Sequence, residues 1–132
     1  MEIAYKFDTI PDTDLIIELY NSSGINRPTN DKERITKMYF NSNLIVTAWY
    51  KNKLVGISRS LTDFCYCCYL SDLAVRKEYQ KYGIGKKLIA LTKENIGNQV
   101  MLLVLSAKTA MDYYPKIGFQ KVDNGFIIKR IS

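Results

Sequence analysis

The stretch DLAVRKEYQKYGIGKKLI, residues 72–89, runs from an apolar strand pattern through a glycine-containing loop into an amphipathic helix. A helix start leaves backbone N–H groups without internal partners, and the helix dipole adds about half a positive charge there. Gly83 and Gly85 have no side chain that would hold an anion away from those groups. The segment therefore predicts an anion site, although a solvated basic turn with the same glycines also fits. Five cationic residues lie in or beside the loop: Arg76, Lys77, Lys81, Lys86 and Lys87.

Two common phosphate-binding signatures do not describe this loop. A Walker A loop has four residues between its glycines, whereas only Ile84 separates Gly83 from Gly85. The dinucleotide fingerprint needs a third glycine at position 88, where the chain has Leu88. Neither motif therefore identifies the anion.

The whole chain has the composition of an ordinary globular protein. Its 132 residues, 47% hydrophobic and 24% charged, predict one domain over 1–132. The net charge of +6 favours an anionic partner, which can be nucleic acid, a membrane surface or a phosphorylated small molecule. The N-terminal MEIAYKF lacks a secretory pattern and the apolar run at 100–105 is too short to span a bilayer, so we expect a cytoplasmic protein.

The cysteine and histidine content limits the chemistry. The chain has no histidine, which excludes Ser-His-Asp and Cys-His catalysis and removes the commonest metal ligand. Cys65, Cys67 and Cys68 lack the paired spacing of a zinc site, and we expect them to be small apolar fillers of a strand. We therefore expect no metal.

The hydrophobic periodicity predicts the order β-α-α-β-β-β-α-β-α-β-β. This order indicates an α/β (α+β) fold in which a mixed, mostly antiparallel sheet of six to seven strands is flanked by about four helices. Asn30 and Glu33 have capping-box spacing at the start of the second helix. The run at 100–106 predicts a strand buried on both faces, and the pattern of residues 107–117 predicts the helix that follows it. FQKV and FIIKRI, joined by 123–125, predict a final hairpin.

Two segments carry a resemblance to a known family. Residues 72–89 resemble the acetyl-CoA-binding motif of the GNAT superfamily of N-acetyltransferases, whose loop Gln/Arg-x-x-Gly-x-Gly/Ala is matched at 80–85. AMDYYPKIGF, residues 110–119, resembles the family segment A-x-x-F-Y-x-K-x-G-F. The order of elements agrees as well, so the resemblance spans essentially the whole chain. It implies the GNAT fold and transfer of an acetyl group from acetyl-CoA to a primary amine within a ternary complex.

The resemblance also implies a coenzyme site. The diphosphate would lie on the loop amides, and the pantetheine arm would run beside the preceding strand. At the position where many members have an asparagine near the pantetheine arm, this chain has Ala107. The implied coenzyme-binding residues are Leu73, Ala74, Val75, Gln80, Lys81, Tyr82, Gly83, Ile84, Gly85, Lys86 and Tyr114.

The resemblance and the order of elements together indicate candidate catalytic residues. Tyr114 matches the family tyrosine and is the candidate general acid, although the spacing does not distinguish it from Tyr113. Asp72 and Tyr69 lie on the strand that approaches the reaction centre, on opposite faces if the strand is regular. Asp72 is the candidate base, and a water molecule that relays the proton to solvent is an equal alternative. Glu18 and Tyr20 are weaker candidates on the acceptor side.

The acceptor site is expected between the first two helices, their loop and the hairpin near 59–64. The partner is then a small-molecule amine or a peptide or protein amine, without a membrane or nucleic acid, and a homodimer is left open. Two other interpretations remain: a coenzyme-A-binding module without transfer, and a basic nucleic-acid-binding domain. Aromatic and charged side chains available to the acceptor site are Tyr39, Trp49, Arg59, Asp63 and Phe64.

Overall fold

The computed structural model describes residues 1–7 and 9–132, and these form a five-stranded sheet flanked by helices. The strands follow the order β1-β2-β3-β4-β5; β1 to β4 are antiparallel and β5 is parallel to β4. The predicted mixed sheet is confirmed, with five strands rather than six to seven. The elements are β1 (Ala4–Lys6), α1 (Thr13–Ser23), α2 (Lys32–Phe40), β2 (Leu44–Tyr50), β3 (Lys53–Thr62), β4 (Cys67–Val75), α3 (Ile84–Ile96), β5 (Met101–Val104) and α4 (Tyr113–Lys116).

The helix boundaries follow local backbone chemistry. α1 ends at Gly24, whose φ of +83° is the left-handed conformation that glycine adopts without a steric penalty. The side chain of Asp31 accepts a hydrogen bond from the Arg34 amide at 3.1 Å and begins α2. The predicted capping box at Asn30 and Glu33 is therefore wrong, because the cap lies one residue later.

The sheet separates two layers of helix. α1 and α2 pack on one face through a cluster that includes Ile16, Leu19, Ile35 and Ile57. α3 packs on the other face and approaches β3 closely: a Cβ added to Gly56 would lie 3.0 Å from Ile84 Cγ2. Only a glycine in β3 lets the helix lie this near the strand.

The C-terminal third departs from the sequence prediction. Met101 in β5 is 56% exposed and its neighbours are half-buried, so the expected strand buried on both faces is wrong. The predicted helix over 107–117 is reduced to a single 3₁₀ turn and the four residues of α4. The predicted hairpin of FQKV and FIIKRI is absent from the described residues, because 120–132 are exposed and pair with no strand.

The three cysteines also divide between two environments. Cys68 is buried in β4, as expected of a small apolar filler. Cys65 and Cys67 are exposed, so the prediction is wrong for these two. They lie at the turn between β3 and β4, where Asp63 accepts hydrogen bonds from the amides of both.

Candidate functional site

The glycine loop, residues 80–86, joins β4 to α3 and keeps most of its backbone amides free. Gly83 immediately precedes α3 with a φ of +75°, and a Cβ there would meet nothing within 4 Å. Within the part of the chain that the structure describes, the amides of residues 81–86 have no protein hydrogen-bond acceptor. Free amides at a helix start favour a bound anion, because they donate hydrogen bonds along the positive end of the helix dipole.

Gln80 differs from the loop residues that follow it. Its amide donates to the Lys77 carbonyl at 3.4 Å, and its side-chain Nε2 donates to the Val75 carbonyl at 3.0 Å. Gln80 therefore ties the loop back to the end of β4, and its amide is engaged rather than free. At the other end of the loop, the Ile84 side chain is buried and fixes the first turn of α3.

Arg76 is a structural anchor rather than a free loop cation. Its amide donates to the Val55 carbonyl at 2.9 Å, and its Nε donates to the Leu54 carbonyl at 2.6 Å. Its Nη2 also contacts Glu18 Oε1 at 2.7 Å. The positive charge available to a ligand therefore comes from the exposed lysines Lys77, Lys81, Lys86 and Lys87.

β4 diverges from β5 just before the loop. The last pair between them is Leu70 with Val104, so residues 71–75 have no strand on that edge among the described residues. Within this open stretch, Leu73 and Val75 are half-buried on the α3 side, whereas Ala74 is buried against α1 and α2. Two carbonyls of the stretch are already engaged, since Ser71 accepts from Arg27 Nη2 at 2.8 Å and Val75 accepts from Gln80. The backbone between them, at Leu73, can pair with an extended ligand arm, as an added strand would.

A pair of tyrosines borders this opening. A Cβ added to Gly85 would lie 3.3 Å from the Tyr113 hydroxyl and 3.8 Å from both Leu73 and Val75. The Tyr114 ring packs edge-on against Tyr113, with centroids 5.3 Å apart. Burial raises the pKa of both phenols, and the neighbouring Tyr113 raises that of Tyr114 further. Both hydroxyls are therefore protonated at neutral pH and able to donate a proton.

A cavity of about 760 Å³ extends from the α3 start along β5 and α4. Lys86 and Tyr114, two of the predicted coenzyme-binding residues, line it. Its walls are mostly apolar, and they include β5 and the first residues after Gly118. Tyr113 lies against the loop, whereas Tyr114 faces this larger space.

Asp72 lies on the opposite face of β4, where its side chain is fully buried within a cluster of polar groups. Its Oδ2 accepts from Arg59 Nε at 2.9 Å and from the Tyr20 hydroxyl at 2.6 Å. Its Oδ1 accepts from Arg27 Nε at 2.7 Å and from Ser71 Oγ at 3.1 Å. Both carboxylate oxygens are therefore already paired, with donors from α1, β3, β4 and the α1–α2 loop.

These contacts set the protonation of the cluster. Burial alone raises the pKa of Asp72, but the hydrogen bonds and charges of Arg59 and Arg27 outweigh it, so the pKa lies below its ordinary value. Burial also raises the pKa of Tyr20 and of Tyr39, whose hydroxyls are hydrogen-bonded to each other. A carboxylate this well paired is a weak base, which argues against Asp72 as the direct proton acceptor.

The other acceptor-side candidates do not all come together. Tyr39 joins the Asp72 cluster, and its ring lies 5.7 Å from the Arg59 guanidinium carbon. The Trp49 indole donates to Thr47 within β2 and makes no hydrogen bond to Asp72, although its ring packs against the apolar cluster of α1 and α2. Asp63 and Phe64 lie in the β3–β4 turn, where Asp63 accepts three backbone amides that lower its pKa to about 2. Glu18 is exposed and paired with Arg76.

Sequence reasoning missed the role of Arg27 and the pairing of Arg59 with Asp72. The pair depends on the register of β3 and β4, which places these two residues opposite each other beside an irregularity at Arg59/Ser60. Arg27 reaches Asp72 from a loop, so no periodicity marks it. The only indication in the sequence is that Arg27 is the one charged residue in the polar segment 21–30 between the first two helices.

Two classes of site receive no support within residues 1–7 and 9–132. The described part of the chain contains no group of three His, Cys, Asp or Glu residues able to hold a metal ion. None of its helices is long and apolar enough to cross a membrane.

Comparison with known proteins adds independent findings. The model of a family described as an acetyltransferase (GNAT) domain matches residues 20–132. The GCN5-related N-acetyltransferase 2, chloroplastic, of Arabidopsis thaliana is 30% identical over 80 residues, which are 57% of this chain and 30% of that protein. The match thus spans less than a third of that curated relative.

Solved structures share the fold. A probable acetyltransferase from methicillin-resistant Staphylococcus aureus has a TM-score of 0.82 and 24% identity, covering 98% of this chain and all of the other. An aminoglycoside N-acetyltransferase solved in complex with CoA has a TM-score of 0.74 and 11% identity, covering 99% of this chain and 96% of the other. At these identities, the likeness concerns the fold alone.

Proposed function

Because the chain belongs to the GNAT acetyltransferase family, we propose that it transfers an acetyl group from acetyl-CoA to a primary amine. The observation that carries the proposal is the run of unpaired amides at residues 81–86, directly after the open edge of β4. A diphosphate on these amides and an extended arm along residues 71–75 together describe coenzyme A. The N-acetyl specificity is part of the proposal.

The coenzyme would form its hydrogen bonds mainly with the backbone of the protein. The amides of residues 81–86 bind the diphosphate, and Lys81 and Lys86 add positive charge. Leu73 and Val75 bind the pantetheine arm through main-chain groups, while Gln80 holds the loop in position. Ala74 supports the strand from the opposite face.

Bound acetyl-CoA supplies an activated thioester, so the protein needs mainly to orient the two reactants. Proximity of this kind contributes roughly 7–11 kcal/mol to well-oriented reactions. A backbone amide near Leu73 is suited to stabilise negative charge that develops on the carbonyl oxygen. Tyr114 is the proposed acid for the departing sulfur, and Tyr113 is the alternative because its hydroxyl borders the opening of β4.

The amine must lose a proton before attack, since an alkylammonium has a pKa near about 10.4. Asp72 was the candidate base, but both of its oxygens are taken by Arg27, Arg59, Tyr20 and Ser71. We therefore assign the proton transfer to water. Asp72 instead holds Arg27 and Arg59 in position on the acceptor side of the sheet by accepting their hydrogen bonds.

That the acceptor is an amine is inferred from the acetyl transfer proposed above and from one solved relative. The solved relative complexed with CoA is an aminoglycoside N-acetyltransferase, which suggests an amine acceptor here as well. A coenzyme-A-binding module without transfer is the second candidate, favoured by the full occupancy of the Asp72 carboxylate.

Thermal denaturation with acetyl-CoA tests the coenzyme site. A ligand at about 100 times its Kd stabilises the folded state by about 2.7 kcal/mol, which raises the melting temperature. Dephospho-coenzyme A retains the diphosphate and should also stabilise, whereas S-acetylpantetheine lacks it and should stabilise much less. Equal stabilisation by all three compounds, or none by acetyl-CoA, contradicts the proposal.

Thiol release in the presence of an amine panel tests the transfer itself. Any amine that accelerates release identifies an enzyme, and coenzyme binding without acceleration supports the binding module. Tyr113→Phe and Tyr114→Phe then separate the two acids, because the variant of the true acid lowers kcat while leaving the affinity for acetyl-CoA unchanged. We expect that variant to reduce turnover without abolishing it, since a thiol with a pKa near about 8.5 leaves readily.

A further inference from the structure

Two arginines on the acceptor side of the sheet share a single carboxylate. Asp72 accepts from Arg27 Nε at 2.7 Å and from Arg59 Nε at 2.9 Å. Among the described residues, neither arginine pairs with another Asp or Glu side chain, because their remaining hydrogen bonds go to carbonyls and to serine hydroxyls. The cluster therefore keeps one positive charge that no side chain of the described residues neutralises.

Arg27 is the arginine of this pair that a ligand can reach. Its side chain is 27% exposed, whereas that of Arg59 is only 9% exposed. Its Nε donates to Asp72 and its Nη1 donates to the Asn26 carbonyl. Its Nη2 donates to the Ser71 carbonyl at 2.8 Å. A guanidinium has five N–H groups, so one N–H on each Nη atom of Arg27 has no acceptor in the described part of the chain. Two such donors on one planar cation suit a carboxylate.

An extra residue in β4 turns Tyr69 toward the acceptor side as well. Two consecutive residues of β3 pair with Asp72 and with Leu70, so Ser71 lies between them as a bulge. The bulge places Tyr69 on the same face as Asp72, where a regular strand would place it on the opposite face. Tyr69 pairs with Leu61 of β3, and these two side chains are 36% and 41% exposed. They form an open apolar patch, Leu61 and Tyr69, beside the arginine cluster.

The spacing along β4 limits the size of the acceptor. Ser71, whose carbonyl contacts Arg27, and Leu73, beside which the thioester is proposed to lie, are two residues apart, or about 7 Å at the ordinary rise of a strand. A carboxylate hydrogen-bonded to Arg27 at about 3 Å and an amine about 3 Å from the thioester carbon fill most of this distance. The amine and the carboxylate must therefore lie close together in the acceptor.

We propose that the acceptor is an α-amino acid with an apolar side chain, an inference that rests on the proposed function and specifies its substrate. Arg27 binds the carboxylate, and the apolar patch binds the side chain. The neutral amine attacks the thioester carbon, so that a C–N bond forms and the C–S bond breaks. The amine proton passes to water, and the sulfur leaves with the bonding electron pair and gains a proton to become the thiol of coenzyme A. The unneutralised positive charge disfavours a polycationic amine.

Thiol release at saturating acetyl-CoA, measured with matched acceptors, gives the first test. L-Phenylalanine should have a kcat/KM at least about tenfold above that of L-phenylalaninamide, which keeps the side chain but lacks the carboxylate. Kanamycin, a polycationic amine, should be a poorer acceptor than either. If phenylalanine is no better than its amide or than kanamycin, the inference is overturned while the proposed transfer stands. Acceleration by no amine at all overturns the proposed transfer, and the inference with it.

Arg27→Gln tests the residue that is proposed to bind the carboxylate. This variant should lose the preference for phenylalanine over its amide through a higher KM for phenylalanine, and Arg27→Lys should retain part of the preference. Arg34→Gln is the matched control, because Arg34 is an exposed arginine on α2 and should keep the full preference. The preference is a ratio measured on one protein sample, so a partly unfolded variant does not alter it. An equal loss of kcat/KM for both acceptors means that Arg27 only holds its loop, which overturns the inference.

Tyr69→Ser tests the apolar patch on an exposed side chain. The variant should raise the KM for phenylalanine and leave the KM for glycine, which has no side chain to place there, close to that of the parent protein. A KM that rises equally for both amino acids, or for neither, contradicts the assignment of the apolar patch to the acceptor side chain.

Discussion

At the scale of single residues, Gly83 and Asp72 show how backbone and side chain divide the work of the site. Gly83 matters for what it permits, because its left-handed backbone turns the chain so that α3 begins with free amides. Asp72 matters for what it holds, because Arg27 and Arg59 converge on its two oxygens. The first residue concerns the proposed coenzyme and the second the acceptor side, and the sheet separates them.

Replacing Gly83 by alanine should affect both stability and coenzyme binding. A non-glycine residue in the left-handed region costs roughly 1–2 kcal/mol, so the free energy of unfolding should fall by about that amount. Acetyl-CoA affinity should fall as well, because the loop amides shift. Gly24→Ala is the matched control, since Gly24 has a φ of +83° and equally open surroundings.

Urea denaturation and calorimetric titration measure these two quantities. Gly24→Ala should lose similar stability while binding acetyl-CoA normally. If Gly83→Ala binds acetyl-CoA as tightly as Gly24→Ala does, the turn is purely structural and the amides are not the coenzyme site.

The Asp72 cluster predicts a loss of stability in acid. The folded pKa of Asp72 lies below the ordinary value of 3.8, so the unfolded chain binds the proton more readily. The stabilisation is therefore complete above about pH 4 and is lost as the pH falls through the folded pKa. Asp63, with a pKa of about 2, adds to the effect in the same direction.

Urea denaturation at a series of pH values measures this dependence. Below pH 3.8 the free energy of unfolding should fall with pH, and Asp63→Asn should remove only part of this dependence. The remaining part is due to Asp72. Arg27→Met should reduce that remaining part, because it deletes one of the charges that lower the pKa. A stability that does not change with pH across this range would contradict the cluster.

At the scale of elements, the sequence predicted well what local chemistry determines. The glycine loop follows from residues adjacent in the chain, because Gly83 determines the turn that precedes α3. The Arg59–Asp72 pair did not, because strand register is a long-range property. The prediction of the final hairpin is wrong for a related reason: FIIKRI has strand propensity, but propensity alone does not determine whether a segment pairs with a sheet.

The packing of α3 against β3 gives a prediction at this scale. A Cβ at position 56 would lie 3.0 Å from Ile84 Cγ2 and 3.1 Å from Leu88 Cδ1, so in Gly56→Ala these side chains, or the helix that carries them, must move by a few tenths of an ångström. Overpacking of this kind costs roughly 1–3 kcal/mol. Since Ile84 begins the helix, the displacement should also weaken acetyl-CoA binding.

Gly125→Ala provides the comparison for that experiment, because a Cβ at position 125 would meet nothing within 4 Å. Urea denaturation should show a stability within about 0.5 kcal/mol of the parent protein for this variant. A Gly56→Ala variant that is equally stable would mean that α3 moves away from β3 without cost.

At the scale of the whole molecule, the charge and the sheet have separate roles. The net charge of +6 arises from 19 basic and 13 acidic residues, and four of the lysines are exposed in or beside the glycine loop. A positive field of this kind attracts an anionic ligand and is screened by salt. The sheet supplies an open edge at residues 71–75, where the pairing of β4 with β5 has ended, and this edge can accept an extended ligand.

Salt dependence of binding separates the contribution of charge from that of the sheet. The phosphates of acetyl-CoA would lie near exposed lysines, and the Debye length shortens from about 30 Å at 0.01 M salt to about 3 Å at 1 M. The affinity for acetyl-CoA should therefore fall as salt increases, measured by calorimetric titration. S-acetylpantetheine has no phosphate and would contact only the edge of β4, so its weaker binding should change little with salt.

If both ligands show the same salt dependence, the lysines act on the protein as a whole rather than on the phosphates. Lys81→Gln with Lys86→Gln should then flatten the response to acetyl-CoA, whereas Lys116→Gln, an exposed lysine on α4, should leave it unchanged.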